Sequence, residues 1–249
     1  MSSASTDGRN TQMTGKRDNI LKRALALYVA AVSDAADATG LNQVCMDRGI
    51  SPLTQVRRMA GFARTGRLVR SPVGRPYDEG QLDVFMSLAT KAKDGDLIVI
   101  DTSGATDCSA WGQVLTRIGK PLGVRGTVVD GTSRDIDDID EMGFPVFARG
   151  RHPGTMRGRL DMESVNEPIV CGGVTVSPGD LVFGDGDGVV VIPIDHVDEV
   201  LGRAEEVVGT DARMCLTLLT EKLQTKRDIF LLHDLDSSPC GIKEVFLDE

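Results

Sequence analysis

The chain has 249 residues, a formal net charge of -9 and a hydrophobic fraction of 41%, values typical of a globular protein. No apolar run is long enough to cross a bilayer, and a net charge of -9 disfavours binding to a nucleic-acid duplex, whose phosphates need clustered Lys and Arg. We therefore expect no membrane and no nucleic-acid partner. The five scattered cysteines show no metal-ligand spacing and no apolar leader follows Met1, which predicts reduced thiols and a cytoplasmic protein.

The first half of the chain predicts helices and strands in alternation after a polar start. Residues 1 to 16 predict a disordered tail. Residues 20 to 40 predict a helix with a break near Ser33 and Asp34. Residues 55 to 70 predict a strand with one exposed face, and residues 78 to 96 predict an amphipathic helix that closes at Gly95.

The middle of the chain repeats this alternation. Strands are predicted at 96 to 104, 124 to 131 and 144 to 150, and helices at 108 to 123 and 134 to 143. This order predicts parallel strands joined by right-handed crossovers, and hence an α/β fold. From Glu167 to Pro193, short Val-rich runs between Gly, Pro and Asp turns predict an antiparallel meander.

The last part of the chain predicts a helix at 194 to 224 and then a stretch without clear periodicity. We therefore expect a single domain over residues 17 to 225 and an appendage over residues 226 to 249. The sequence DGDG at 185 to 188 predicts a hairpin turn, because a calcium-binding EF-hand loop needs further ligands at fixed spacing.

Arg134 and Asp135 follow the strand predicted at 124 to 131, where ligands bind in open α/β sheets. An arginine there can hold a carboxylate or enolate oxygen with its planar fork, and an aspartate can hold a divalent cation. A purely structural interpretation competes with this one. Ser133 is a candidate N-cap, and an aspartate in a first helical turn complements the helix dipole.

The stretch AWGQVL, residues 110 to 115, is a second candidate site. Free backbone N–H groups at a helix start bind anions, and Gly112 would let a small carboxylate approach the backbone. The alternative is a glycine that only permits close packing beneath Trp111. Spacing alone leaves both interpretations open.

Several motifs occur together in an order that resembles the RraA-like proteins. They are VSDAADATG, AWGQVL, GVRGTVVDGTSRD, GFPVFARG and VCGGVTVSPGDLVFGDGDGVVVIP. The resemblance runs from about Val32 to about Ala212, and its most specific part lies between Gly112 and Pro193. That family contains regulators of ribonuclease E and metal-dependent aldolases that act on 4-hydroxy-4-methyl-2-oxoglutarate and 4-carboxy-4-hydroxy-2-oxoadipate.

The resemblance implies an α/β/β sandwich of the swivelling type with N- and C-terminal helices, assembled as a homotrimer or homohexamer. It implies that the backbone amides of Gly112, Gln113, Val114 and Leu115 hold the carboxylate of a pyruvyl group. Arg134 would then stabilise the enolate oxygen, and Asp135 would bind Mg2+ or Mn2+. The implied reaction cleaves a 4-hydroxy-2-oxo acid to pyruvate and an oxo acid, with oxaloacetate decarboxylation as a side activity.

Two features of the sequence bear on which member of the family this chain resembles. The aldolases carry an acidic residue directly after the helix-opening glycine, whereas this chain has Gln113, which brings no charge and cannot act as a base. Acidic residues from a neighbouring subunit line the cleft in the family, and Asp211 or Glu206 would match them here. A solvated helix face is the alternative for both.

Two hypotheses about function remain. The Arg134 and Asp135 pair and the AWGQVL motif favour a metal-dependent lyase that acts on a small 2-oxo acid, whereas Gln113 and the appendage favour a non-catalytic regulator that binds ribonuclease E-like partners. A Schiff-base aldolase would need a desolvated lysine, and Lys91, Lys93 and Lys120 are predicted to be exposed. His152 is the one histidine close to the motif block, in a basic loop at 149 to 159.

Overall fold

The computed structural model describes residues 4 to 73 and 78 to 222. In chain order the helices and strands are α1 (Ala4–Ala26), α2 (Val29–Ala38), β1 (Ser51–Pro52), β2 (Met59–Arg70), α3 (Glu79–Thr90), β3 (Asp96–Asp101), β4 (Ser109–Trp111), α4 (Gln113–Gly119), β5 (Thr127–Ser133), α5 (Ile136–Glu141), β6 (Val146–Arg151), β7 (Leu160–Val165), β8 (Ile169–Cys171), β9 (Val174–Val176), β10 (Leu181–Asp185), β11 (Gly188–Ile192) and α6 (Val197–Lys222).

The main sheet has nine strands in a mixed arrangement. Its path runs β1-β6-β5-β3-β2-β10-β11, with β4 paired to β5 and β7 paired to β2. The pairs β2-β3, β3-β5 and β5-β6 are parallel, as the alternating strands and helices predict, and β10 pairs antiparallel with both β2 and β11. Because β1 also lies against β11, the sheet curls until it is nearly closed.

Three hydrophobic clusters fill the two sides of this curled sheet. One packs α3, α4 and α5 against β3, β5, β6 and β7, and a second packs α1, α2 and α6 against β2, β10 and β11. The third lies inside the curl, where the β8-β9 hairpin covers the inner face. The sheet is therefore covered on both faces, as the strongly apolar strands β3 and β10 require.

The structure corrects several local predictions. Strand β2 has no exposed face, because it lies between β3 and β10 and is covered by helices and the hairpin; its exposed residues are Arg67 and Arg70. The first helical break falls at Leu27 and Tyr28, not at Ser33 and Asp34. Strand β7 pairs with β2 where the sequence predicts no strand.

The N-terminal end of the described chain is helical, whereas the predicted C-terminal appendage is not described. The backbone is helical from Ala4, within the segment predicted as a tail, because a helix anchored by buried Ile20, Leu21 and Ala24 extends at little further cost. The predicted appendage at 226 to 249 lies outside the described residues, and the division into one domain and an appendage stays a prediction. No helix in the described part of the chain combines the length and apolar character that a bilayer crossing requires.

Candidate active site

The two candidate motifs meet because β4 and β5 run side by side. These strands are parallel, and Trp111 at the end of β4 is the partner of Ser133 at the end of β5. The carbonyl oxygen of Trp111 accepts hydrogen bonds from the N–H of Arg134 at 3.0 Å and from the hydroxyl of Ser133 at 3.2 Å. The residues that follow the strands, Gly112 and Arg134, are thereby placed next to each other.

Asp135 turns its side chain toward this junction. Its backbone is in the left-handed region, with φ 57° and ψ 34°, and it occupies the N-cap position of α5 without a capping hydrogen bond from its side chain. Instead, Oδ2 accepts a hydrogen bond from the N–H of Gln113 at 3.1 Å and lies 3.7 Å from Nε of Arg134. The interpretation of Ser133 as the N-cap is wrong, because Ser133 belongs to β5 and its hydroxyl is used by Trp111.

A glycine is required at residue 112 because side-chain atoms of neighbouring residues lie very close to it, and not because of its backbone angles. Its φ of -171° is extended, which any residue can adopt. A Cβ built at this position would lie 2.8 Å from Oδ2 of Asp135 and 3.3 Å from Cγ of Arg134. A side chain at residue 112 would therefore displace both charged groups.

Buried aromatic packing holds the junction from beneath. The side chain of Trp111 is 2% exposed and stacks on Phe144, with ring centroids 6.1 Å apart and planes 9° from parallel. Its Nε1–H donates to Oγ1 of Thr116 at 2.9 Å. The start of α4 is thus fixed to the core, in keeping with the precise placement that catalytic groups need.

Arg134 and Asp135 line two different hollows. One is a small cavity of about 90 Å³ with a largely apolar wall, formed with Leu82, Phe85, Met86, Trp111 and Met156 among others. The other is a shallow hollow of about 320 Å³ lined mainly by residues with charged side chains, among them Asp137, Asp138 and Arg151, and also by His152. No sequence pattern indicates that α3 contributes to the apolar wall, because contacts between distant segments leave no local pattern.

Several atoms of the pair remain available to a ligand. Among the described residues, none accepts a hydrogen bond from the Nη groups of Arg134, and none donates one to Oδ1 of Asp135. Both side chains are partly open to solvent, at 38% and 28% exposure. The pair can therefore offer a guanidinium fork and one carboxylate oxygen to a small molecule.

The described residues contain no group of three or more His, Cys, Asp or Glu arranged to hold a metal ion. Mg2+ usually takes one or two carboxylates and keeps several waters. The free Oδ1 of Asp135, in an open hollow, fits that mode of binding. Asp135 is therefore the residue of this pair that could hold a divalent ion, together with waters.

The predicted acid of α6 lies elsewhere in the chain. Asp211 and Glu206 line a third hollow between α2 and α6, which shares no residue with the hollows at Arg134. The carboxylate of Asp211 accepts a hydrogen bond from the hydroxyl of Tyr28 at 2.9 Å. Within one chain, neither acid joins the candidate site.

A group of charged residues around the buried Asp130 has a structural role. Arg149 pairs with Asp130 and, at 2.8 Å, with Asp47, and the other oxygen of Asp130 holds the N–H of Gly172 at 2.8 Å. These contacts attach the β8-β9 hairpin to β5 and β6.

Burial raises the pKa of the Cys171 thiol well above its usual value, so this cysteine is not a reactive thiolate.

The lysine prediction is confirmed. Lys91, Lys93 and Lys120 are exposed, so none is the desolvated amine that Schiff-base chemistry needs. The turn at 185 to 188 joins β10 and β11 as an antiparallel hairpin, also as predicted.

The chain belongs to the RraA-like family. The family model described as RraA-like, Aldolase/RraA, matches residues 29 to 191, which is more than half of the chain. This confirms the resemblance found in the motifs and the RraA-like α/β fold that it implies.

Two relatives show the range of proteins to which this chain is similar. A protein of Halalkalibacterium halodurans, named putative 4-hydroxy-4-methyl-2-oxoglutarate aldolase, is 34% identical over 180 residues, which cover 72% of this chain and 79% of that protein. Protein DlpA of Legionella pneumophila is 32% identical over 197 residues, 79% of this chain. The chain spans only 31% of the length of DlpA.

Solved structures confirm the fold. An uncharacterised protein from Pseudomonas syringae has a TM-score of 0.70 and 31% identity, with 85% of this chain and 96% of that one covered. RraAS2 of Streptomyces coelicolor, described as an unusual member of the RNase ES inhibitor RraA family, has a TM-score of 0.69 and 26% identity, with coverage of 79% and 97%.

Proposed function

We propose that the chain is a divalent-metal-dependent lyase that cleaves a 4-hydroxy-2-oxo di- or tricarboxylic acid to pyruvate and a second oxo acid. The observation that carries the proposal is the contact of Gly112 with the Arg134 and Asp135 pair, which leaves a guanidinium fork and a carboxylate oxygen beside a helix start. The aldolase name of the Halalkalibacterium relative supports it.

The start of α4 would bind the substrate's C1 carboxylate. In the first turn of a helix the N–H groups have no upstream acceptor. The N–H of Gln113 is used by Asp135, which leaves those of Val114 and Leu115 to donate to the carboxylate. Gly112 would permit its approach to the backbone.

Arg134 would bind the C2 oxygen through its free Nη groups. When the C3–C4 bond breaks, its electron pair moves to C3 and forms the enolate of pyruvate, whose negative charge accumulates on that oxygen. A guanidinium already in place stabilises this charge more than it stabilises the neutral carbonyl group. The C4 hydroxyl group loses its proton to solvent and becomes the oxo group of the second product, and C3 of the enolate takes up a proton.

Asp135 would hold Mg2+ or Mn2+ through Oδ1, with the other oxygen kept in place by the N–H of Gln113. The ion would supply a Lewis acid beside the C2 oxygen. Decarboxylation of oxaloacetate passes through the same enolate, so it should be a side activity of the same residues.

We also propose that the chain assembles as a homotrimer or homohexamer, in which Asp211, or Glu206, of a neighbouring subunit approaches this site. Both acids lie in an open hollow on the α2 and α6 face. Such an arrangement would supply the acidic group that Gln113 does not provide.

The test is pyruvate release from a panel of 4-hydroxy-2-oxo acids and oxaloacetate, coupled to NADH oxidation, with Mg2+, Mn2+ or EDTA. Metal-dependent release that Arg134→Ala and Asp135→Ala both abolish supports the proposal. Lys91→Ala is a matched control, because this lysine is exposed directly after α3 and lines neither hollow at Arg134, and it should retain full activity. Release that persists in EDTA would contradict the metal dependence.

A non-catalytic regulator is the second candidate function. The likeness to RraAS2, whose description names an RNase ES inhibitor family, and the uncharged Gln113 favour it. A folded oligomer that releases no pyruvate from any substrate, but binds and inhibits a ribonuclease E-type enzyme, would support this second function.

A further inference from the structure

We propose that His152 is a further substrate-binding residue of this site, and that its Nε2–H donates a hydrogen bond to an oxygen on C4 of the bound 2-oxo acid. The proposal rests on the proposed function. It assigns a role to the histidine of the basic loop, which the mechanism above does not use.

The backbone of His152 is fastened to both strands that form the site. Its N–H donates to the carbonyl oxygen of Ser133 at 3.1 Å, directly before Arg134, and its own carbonyl oxygen accepts a hydrogen bond from the hydroxyl of Ser109 on β4. The N–H of Ser109 in turn donates to the carbonyl oxygen of Gly154 at 2.8 Å. The loop therefore keeps a fixed position relative to Gly112 and Arg134.

The imidazole ring is fixed as well. Its Nδ1 accepts a hydrogen bond from the N–H of Gly154 at 2.9 Å. A neutral imidazole that accepts at one nitrogen carries its proton on the other, so Nε2 is a donor. A Cβ at residue 154 would lie 2.8 Å from Cε1 and 2.9 Å from Nδ1 of this ring, which shows how closely the turn is folded around it.

His152 lines the shallow hollow of about 320 Å³ together with Arg134 and Asp135. The C1 carboxylate and the C2 oxygen of the substrate already have partners in Val114, Leu115 and Arg134 under the proposed function. The oxygens that remain are those on C4, its hydroxyl and any carboxylate. An uncharged donor at the edge of the hollow suits them, because it binds an oxygen without repelling a cation at Asp135.

Two substitutions distinguish the proposed hydrogen bond from Nε2–H to the substrate from the structural contact of Nδ1 with Gly154. In His152→Asn, the side-chain oxygen takes the place of Nδ1 and can still accept from Gly154, but no donor reaches the hollow. In His152→Gln, an amide N–H takes the place of Nε2, while the contact with Gly154 is lost. His196→Asn is the matched control, because His196 is a partly exposed histidine that lines neither hollow at Arg134.

The experiment compares two reactions of the metal-loaded protein. Cleavage of a 4-hydroxy-2-oxo acid needs the C4 contact, whereas exchange of the pyruvate methyl protons in D2O, followed by NMR, needs the enolate site alone. We expect His152→Asn to lower kcat/KM for cleavage by about tenfold to a hundredfold, the usual effect of losing one hydrogen bond to a polar or charged group. Pyruvate exchange should stay within about twofold of the wild-type rate, since no contact to the enolate is removed.

His152→Gln should retain most of the cleavage activity, and His196→Asn all of it. Cleavage by His152→Asn at the wild-type rate would overturn the proposal. Equal losses of cleavage and exchange in the Asn and Gln variants would also overturn it, because they would indicate a role in loop structure alone. A wild-type protein that neither cleaves nor exchanges would instead overturn the lyase function itself, and this proposal with it.

A binding measurement gives a second readout that needs no turnover. The chain has three histidines, so the long-range 1H–15N spectrum of the rings is simple, and the signal missing from His152→Asn identifies His152. Its pattern should be that of a ring protonated at Nε2. Addition of 2-oxoglutarate with Mg2+ should shift this signal and pyruvate should not, whereas no shift with either would contradict the contact.

Discussion

The N–H of Gln113 donates a 3.1 Å hydrogen bond to Oδ2 of Asp135, so the first residue of α4 is joined directly to the residue that precedes α5. Two residues that are 22 positions apart in the chain are thus joined through the carboxylate of Asp135. This contact exists only because Gly112 leaves room for it.

Gly112→Ala should therefore lower activity strongly while leaving the protein folded. The added Cβ would meet Oδ2 of Asp135 at 2.8 Å and move it, and a displacement of about 1 Å can cost about a hundredfold in rate. The check is kcat/KM for pyruvate release beside a urea unfolding curve. Gly150→Ala is the control, because its Cβ would meet nothing within 4 Å, and equal activities of the two variants would contradict the close contact.

Asp135→Gly and Asp135→Ala should both lose activity but differ in stability. The φ of 57° at Asp135 is accommodated at little cost by glycine and disfavoured for alanine. We expect the glycine variant to be more stable than the alanine variant by roughly 1 kcal/mol. Urea unfolding measures the difference, and an alanine variant at least as stable as the glycine variant would show that the backbone relaxes out of this conformation.

Gln113→Glu should increase the affinity for Mg2+ and Mn2+ by about tenfold, because it adds a second carboxylate near Asp135 without changing the shape of the side chain. Titration calorimetry with each ion measures the effect. Asp135→Asn removes the negative charge of the proposed metal ligand and should weaken binding of both ions. Unchanged affinity in Gln113→Glu would place the side chain of residue 113 away from the ion.

Asp101→Asn should raise the free energy of unfolding at about pH 7. Burial raises the pKa of Asp101 above its usual range, against the opposing effect of the N–H of Ser103. Because the pKa of Asp101 is higher in the folded than in the unfolded protein, Asp101 stabilises the folded state at low pH. This contribution is lost as the pH rises through the raised pKa. The asparagine keeps an acceptor for Ser103, so the gain should be seen near neutrality and disappear below about pH 4.

Asp47→Asn is the matched comparison and should have the opposite sign. The N–H of Gly49, followed by the side chain of Arg149, holds the pKa of Asp47 below its usual range. Its contribution to stability is present above the usual aspartate pKa and is lost as the pH falls through the lowered value. Urea unfolding of both variants between about pH 3 and pH 8 tests the signs, and parallel curves would refute the assignment.

Much of the fold could be predicted from local sequence patterns. The parallel strands β3, β5 and β6 are short apolar runs bounded by turns, and the β10-β11 hairpin has its DGDG turn, so each carries its own signal. Strand β4 has none, because three residues fix no period. Its extended form depends on pairing with β5, and the prediction had included it in the helix that begins at Gln113.

The sequence predicts which residues form the candidate site but not their geometry. Arg134 and Asp135 were identified by their place after a strand, and the structure brings them to Gly112. The left-handed backbone of Asp135 and the apolar wall from Leu82, Phe85 and Met86 depend on contacts between distant segments. For the same reason no periodicity could show that His152 shares a hollow with Arg134.

Strand β5 is buried at all seven of its positions and is hydrogen-bonded to β3, β4 and β6. Backbone amides in such a position exchange with solvent mainly when the whole protein unfolds. Arg134 is the next residue along the chain, so its guanidinium group is attached to a rigid strand. Any opening that admits a ligand must therefore come from the surrounding loops and not from β5.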